Sequence, residues 1–145
     1  MADTYLKVLL HCIFSTKNRL PQISDPEKLW SYLRGIARNR GVDALAIGGT
    51  ANHVHLLLAL PSSLTIADSM RDLKANSSRH LNEKRRGFRW QDGYATISAS
   101  PSQIADLTRY IETQPEHHAK WSFESEYATL LDRCGVQRSA EYTFG

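Results

Sequence analysis

The sequence predicts an α+β fold, with an antiparallel four-stranded sheet in ferredoxin-like βαββαβ order and helices on one face. Three observations predict it. Apolar runs of strand length alternate with amphipathic stretches of helix length. The apolar runs at residues 42–49 and 53–60 are separated only by Thr50, Ala51 and Asn52, which makes them a hairpin. The chain has 145 residues, 41% hydrophobic and 23% charged, which suits one domain over residues 1–145.

Each element has its own signal. Residues 5–15 form a mostly apolar first strand, followed by a basic turn at residues 17–21. Ser24 or Asp25 can cap a helix whose first turn holds Pro26. Leu29, Leu33, Ile36 and Ala37 then recur at helical spacing with Trp30 beside them, and Gly41 ends the helix. The second strand carries a glycine break at Gly48 and Gly49, and Pro61 closes the third. Thr65 starts a helix with Ile66, Met70, Leu73, Ser77 and Leu81 on one stripe. Residues 83–87 read as a charged loop and residues 94–99 as the fourth strand. Ser100 or Ser102 caps a last core helix from about Gln103, residues 123–131 offer a short helix, and residues 141–144 are a tail. This arrangement leaves the second face of the sheet open for a ligand or partner.

Composition excludes several classes. No run approaches the roughly 18 apolar residues of a membrane span. The N-terminus lacks the pattern of a secretory signal, so the cytoplasm is expected. Cys12 and Cys134 lack zinc-knuckle or redox spacing, and both are expected to be reduced. Net charge is only +3 but unevenly spread. Arg71, Lys74, Arg79, Lys84, Arg85, Arg86 and Arg89 face only Asp72 and Glu83 within their segment, whereas residues 112–132 are acid-rich. A basic middle suggests a polyanionic partner. The run from Lys84 to Trp90 interleaves cations with Phe88 and Trp90, a composition that suits single-stranded nucleic acid, although Trp90 reads better as a core anchor. Lys17, Arg19, Lys74, Arg79, Arg85, Arg86 and Arg89 are the candidate phosphate contacts.

The most informative feature is His53-Val54-His55 at the start of the third strand. Strand side chains alternate between faces, so both imidazoles emerge on one face and Val54 packs into the other. Paired imidazoles on a rigid support are natural metal ligands, and alone they suit Zn²⁺. Far along the chain, Tyr110 and Gln114 lie four residues apart on one helix face, at the border of a stripe formed by Ile104, Leu107, Thr108 and Ile111. His11, on the face of Leu9 and Ile13, reads as a core residue or a neighbour of the site.

These residues carry a resemblance. His53-Val54-His55 resembles the His-hydrophobic-His motif of HUH single-strand DNA nucleases, and Tyr110-Ile111-Glu112-Thr113-Gln114 resembles their single-tyrosine helix. The runs from His11 to Arg19 and from Trp90 to Ala95, with Ser98 and Ser100, extend the likeness to the small transposases of the insertion sequence 200/605 family. So does Glu116-His117-His118 after the tyrosine block. The resemblance implies an HUH endonuclease-type fold, His53, His55 and Gln114 as metal ligands, Mg²⁺ or Mn²⁺ as cofactor, and Tyr110 as nucleophile. It also implies hairpin-bearing single-stranded DNA as substrate, a covalent 5′-phosphotyrosine intermediate, and a homodimer whose active sites can be composite. One departure is Pro115, which restrains Gln114 and leaves His117 or His118 as alternative third ligands. Two other functions are compatible with the residues. One is a non-catalytic or domesticated single-strand binding protein of the same fold. The other is a metal-dependent hydrolase of small phosphodiesters, which would have no use for the basic segment.

Overall fold

The computed structural model describes residues 3–139, so the tail expected at residues 141–144 lies outside the described residues. Four strands, β1 (Val8–Ser15), β2 (Asp43–Thr50), β3 (His53–Leu60) and β4 (Ala95–Ala99), form one sheet in the order β2-β3-β1-β4, every pair antiparallel. Among the described residues five α-helices accompany it: α1 (Pro26–Asn39), α2 (Ile66–Lys84), α3 (Ile104–Glu112), α4 (Gln114–His118) and α5 (Phe123–Arg133). The α+β class and the antiparallel βαββαβ order are as expected. The two central strands, β1 and β3, are almost wholly buried, which explains why they read as apolar runs rather than as alternation.

One face of the sheet, with Leu10, Cys12, Phe14, Val54, Leu56 and Leu58, packs against α1 and α2 through Leu29, Leu33, Met70 and Leu73. Asp25 caps α1 by accepting from the Lys28 amide, and Thr65 caps α2 by accepting from the Asp68 amide. Phe88 and Trp90 both belong to this core, and the Trp90 indole N–H donates to Ser77 Oγ at 2.9 Å. The aromatics of the basic run are therefore anchors, and its cations remain outside.

The opposite face is not open, contrary to expectation. It carries the C-terminal helices: Ile111 packs on Ala46 and Leu57, while Phe123, Tyr127 and Leu131 pack on Ile13 and Ala95. The glycines of β2 do not break it; the strand runs through them to Thr50. A Cβ on Gly48 would lie 2.0 Å from the carbonyl oxygen of Ile111, so this glycine is what lets α3 rest directly on the sheet. Cys12 is buried and Cys134 exposed, and both are free thiols. Among the described residues no helix is long and apolar enough to cross a membrane.

Candidate active site

The pairing register aligns the site. β1 and β3 match His11 with Leu57, Ile13 with His55 and Ser15 with His53, so His11, His53 and His55 share the face that lies under α3, α4 and α5. Both imidazoles of the His-x-His motif are fully buried. From the helix side come Tyr110 near the end of α3 and Gln114 at the start of α4. The helix breaks at Thr113, and Pro115 sits in the first turn of α4, where its missing N–H has no helical partner to lose. The feature that put the reach of Gln114 in question thus starts a new helix, and the Gln114 side chain is fully buried.

His53 Nε2 lies 2.9 Å from Gln114 Oε1, and His55 Nε2 lies 3.1 Å from Glu126 Oε1. Tyr110 OH donates to Glu126 Oε2. The Tyr110 ring meets His55 edge-on with centroids 5.6 Å apart. One chain therefore brings the tyrosine, the histidine pair and the glutamine together. His118 converges as well, its Nε2 2.9 Å from Gln114 Oε1 and 3.1 Å from Glu126 Oε1, and His117 Nε2 lies 3.4 Å from Glu126 Oε2. The half-buried Tyr110 and His117 form the side of the cluster nearest solvent.

Sequence reasoning missed Glu126. It reads as one of several acids in an acidic stretch, yet it shares the apolar face of α5 with Phe123, Tyr127 and Leu131. A carboxylate three residues along a buried stripe was the available signal. His53, His55 and Glu126 offer donor atoms that all lie within 4.8 Å of one another.

Electrostatics suit cation binding. Burial, then the neighbouring His55, lowers the pKa of both His11 and His53 to about 3, and burial lowers that of His55. These imidazoles are therefore neutral, as ligands must be. Burial works against the charge of Glu126, but hydrogen bonds from His118, His55 and Tyr110 outweigh it and hold the carboxyl well below the usual range. Burial first, then the Glu126 carboxylate, raises the Tyr110 phenol above its ordinary value.

The donor set itself fits a cation. His53 Nδ1 lies 2.8 Å from Asn52 Oδ1, and Nε2 lies 2.9 Å from Gln114 Oε1. A neutral imidazole has one N–H and can donate to only one of these oxygens. With the proton on Nδ1, the Nε2 lone pair faces Gln114 Oε1, which is the environment of a coordinated cation. Behind this layer, His11 Nε2 contacts His55 Nδ1 at 2.9 Å and orients that ring.

The basic residues divide. Lys74 donates to the carbonyls of Gln91, Asp92 and Gly93 at 2.7, 3.1 and 2.9 Å, so its ammonium ties the segment before β4 to α2. Lys17 pairs with Asp92 at 3.4 Å, and Arg19 with Glu124 of α5 at 3.3 Å. Arg79 donates to Asn76 on its own helix, and Arg89 is exposed beside the core residues Phe88 and Trp90. Arg85 and Arg86 line a cavity of about 510 Å³ with Lys28, His80, Lys84, Leu81 and Phe88, and neither His53 nor His55 lines it.

An antiparallel sheet thus presents paired histidines to a helical tyrosine. The chain belongs to the IS200-like transposase family, whose family model matches residues 4–114. It is 30% identical over 116 residues to the ISDra2 transposase TnpA of Deinococcus radiodurans, covering 72% of this chain and 81% of that protein. A crystal structure of a protein proposed to be a transposase, also from Deinococcus radiodurans, superposes with a TM-score of 0.62 at 28% identity, covering 79% of this chain and 95% of the other. A REP-associated tyrosine transposase bound to a REP hairpin shares the fold with a TM-score of 0.62 at 17% identity, covering 95% of this chain and 87% of that one.

Proposed function

We propose that this transposase cleaves and rejoins single-stranded DNA next to a hairpin through a covalent 5′-phosphotyrosine on Tyr110. The observation that carries the reading is the meeting of the Tyr110 hydroxyl with the buried His53–His55–Gln114 cluster within one chain.

In this reading His53, His55 and Gln114 hold a divalent cation, Mg²⁺ or Mn²⁺. Bound there, such a cation would supply Lewis-acid chemistry, drawing charge from the nonbridging phosphate oxygens. The protein does the rest. Thr50 and Asn52 fix the His53 ring through Nδ1, and His11 fixes His55. The break at Thr113 turns Gln114 inward while α3 holds Tyr110 beside it. The phenolic oxygen attacks phosphorus, the bond to the 3′-oxygen breaks, and a free 3′-hydroxyl leaves. One proton departs from the phenol and one arrives on the 3′-oxygen, so the exchange is proton-neutral. A second 3′-hydroxyl can reverse the step and join strands without a nucleotide cofactor, because the phosphotyrosine keeps the phosphodiester bond energy.

The hairpin reading draws on the REP-hairpin complex of the neighbour and on the cations Arg85 and Arg86 at their cavity, with Lys17, Arg19, Arg79 and Arg89 as further phosphate contacts. A homodimer is proposed on the strength of the family resemblance, with Tyr110 serving the site of its own chain. The test is incubation with hairpin-bearing single-stranded DNA and Mn²⁺, followed by a denaturing gel. A slower protein band that disappears with chelator and in Tyr110→Phe is expected. Adduct formation by Tyr110→Phe contradicts the reading.

A further inference from the structure

The family model ends at Gln114, but the buried cluster does not. α5 lies beyond the match and delivers Glu126 into its centre. The two carboxylate oxygens face different partners. Oε1 looks toward the imidazoles, 3.1 Å from His55 Nε2, 3.9 Å from His53 Nε2 and 3.1 Å from His118 Nε2. Oε2 looks toward the nucleophile, accepting from Tyr110 OH and, at 3.2 Å, from the Gln114 amide.

We propose that Glu126 is a two-sided positioning residue: one oxygen completes the cation-binding donor set and the other fixes the Tyr110 hydroxyl beside it. The inference rests on the assignment of Tyr110 as nucleophile and adds a residue from outside the family match.

Four considerations support it. Glu126 sits on the apolar stripe of α5 with Phe123, Tyr127 and Leu131, so its backbone is locked by the packing of those side chains on Ile13 and Ala95. An anionic carboxylate beside two neutral imidazoles and an amide makes the donor set harder and more attractive to Mg²⁺ or Mn²⁺ than the uncharged trio. A hydroxyl must be held within a fraction of an ångström to attack in line, and a hydrogen bond to a carboxylate on a packed helix does that more tightly than a free rotamer on α3. Arg19, paired with Glu124 near the start of the same helix, ties that end of α5 to the loop after β1.

The test is Glu126→Gln in the full chain, which keeps the shape and removes the charge. Two quantities are read: Mn²⁺ affinity without DNA, from the electron paramagnetic resonance signal of free Mn²⁺, and the single-turnover rate of adduct formation at saturating Mn²⁺. We expect Mn²⁺ binding weaker by about 10- to 100-fold and a slower adduct rate that added Mn²⁺ does not restore. Should Glu126→Gln fail to fold by circular dichroism, Glu126→Asp carries the same two readouts, since the shorter arm cannot span both partners. Either quantity at its wild-type value in the folded variant overturns the two-sided role. If wild-type protein forms no Tyr110 adduct, the assignment of the nucleophile fails instead, and the Mn²⁺ titration still reports on the cation side alone.

Discussion

His53 Nε2 lies 2.9 Å from Gln114 Oε1, joining the first residue of β3 to the first residue of α4 across 61 positions of sequence. The contact draws together the strand and helix halves of the site, at the place proposed for the cation. Adding Mn²⁺ should raise the thermal unfolding midpoint, because a ligand that binds only the folded state stabilises it by about 2.7 kcal/mol at a hundredfold excess over Kd. The double variant His53→Ala, His55→Ala should show no such rise. An equal rise in both proteins would show that the cation binds elsewhere.

Gly48 sets the height of α3 above the sheet. Gly48→Ala puts a methyl carbon 2.0 Å from the Ile111 carbonyl oxygen, and backbone cannot yield as a flexible side chain would. A loss of about 1–3 kcal/mol in urea unfolding is expected, together with loss of adduct formation as Tyr110 and Gln114 move off the histidines. Wild-type stability and activity in this variant would mean that α3 does not rest on Gly48.

Acid should destabilise the fold before the carboxylates alone require it. His11 and His53 have pKa values near 3 when folded, against 6.5 for a free imidazole. Between these limits the unfolded chain binds more protons, so stability falls as pH drops through 6.5 toward 3. The slope is about 1.4 kcal/mol per pH unit for each imidazole that stays neutral. Glu126, held below its ordinary value, adds loss in the same direction below about pH 4.5. His118, which Glu126 raises against the effect of burial, opposes the trend, since its contribution fades as pH rises. Urea midpoints that do not change between pH 7 and pH 5 would contradict the burial of these rings.

Only one of the two thiols should react in the native protein. Burial pushes Cys12 up to about 12, leaving almost no thiolate at pH 8, while Cys134 is exposed. A thiol-reactive dye should label one cysteine per folded chain and two in denaturant. Native labelling of Cys12 would contradict the burial of β1 beneath α1 and α2.

Arg85 and Arg86 at the basic cavity should act through phosphate charge. Replacing both with Ala is expected to weaken hairpin binding and to flatten the plot of log affinity against log salt by about 0.9 for each duplex phosphate no longer neutralised. An unchanged slope would assign the hairpin to another surface. Lys74→Met offers a contrast: with three backbone carbonyls as partners, its removal should appear first in stability.

Much of the fold is legible in the sequence because burial repeats with the period of each element. The caps Asp25 and Thr65, the stripe of Met70, Leu73 and Ser77, and the His-x-His strand all lie where local chemistry puts them. The C-terminal third is harder to read. Gly48 and Gly49 signal a break when read alone, and it is the approach of Ile111 to Gly48 and of the His53 backbone to Gly49 that explains them. Pro115 signals a helix end, and α3 does end at Glu112, but a new helix starts at once with Gln114. Glu126 looks like a solvated acid because its partners, Tyr110, His55 and His118, are not its sequence neighbours. Tertiary convergence of this kind leaves only a polar residue on an apolar face as its trace.

The identity of the attacking oxygen is tested most directly by peptide mapping of the covalent protein–DNA species. After nuclease and protease digestion, mass spectrometry should find a 5′-linked nucleotide on the peptide bearing Tyr110, formed only with a divalent cation present. A nucleotide on any other residue, or cleaved DNA with no attached protein at any time, would contradict the proposed chemistry.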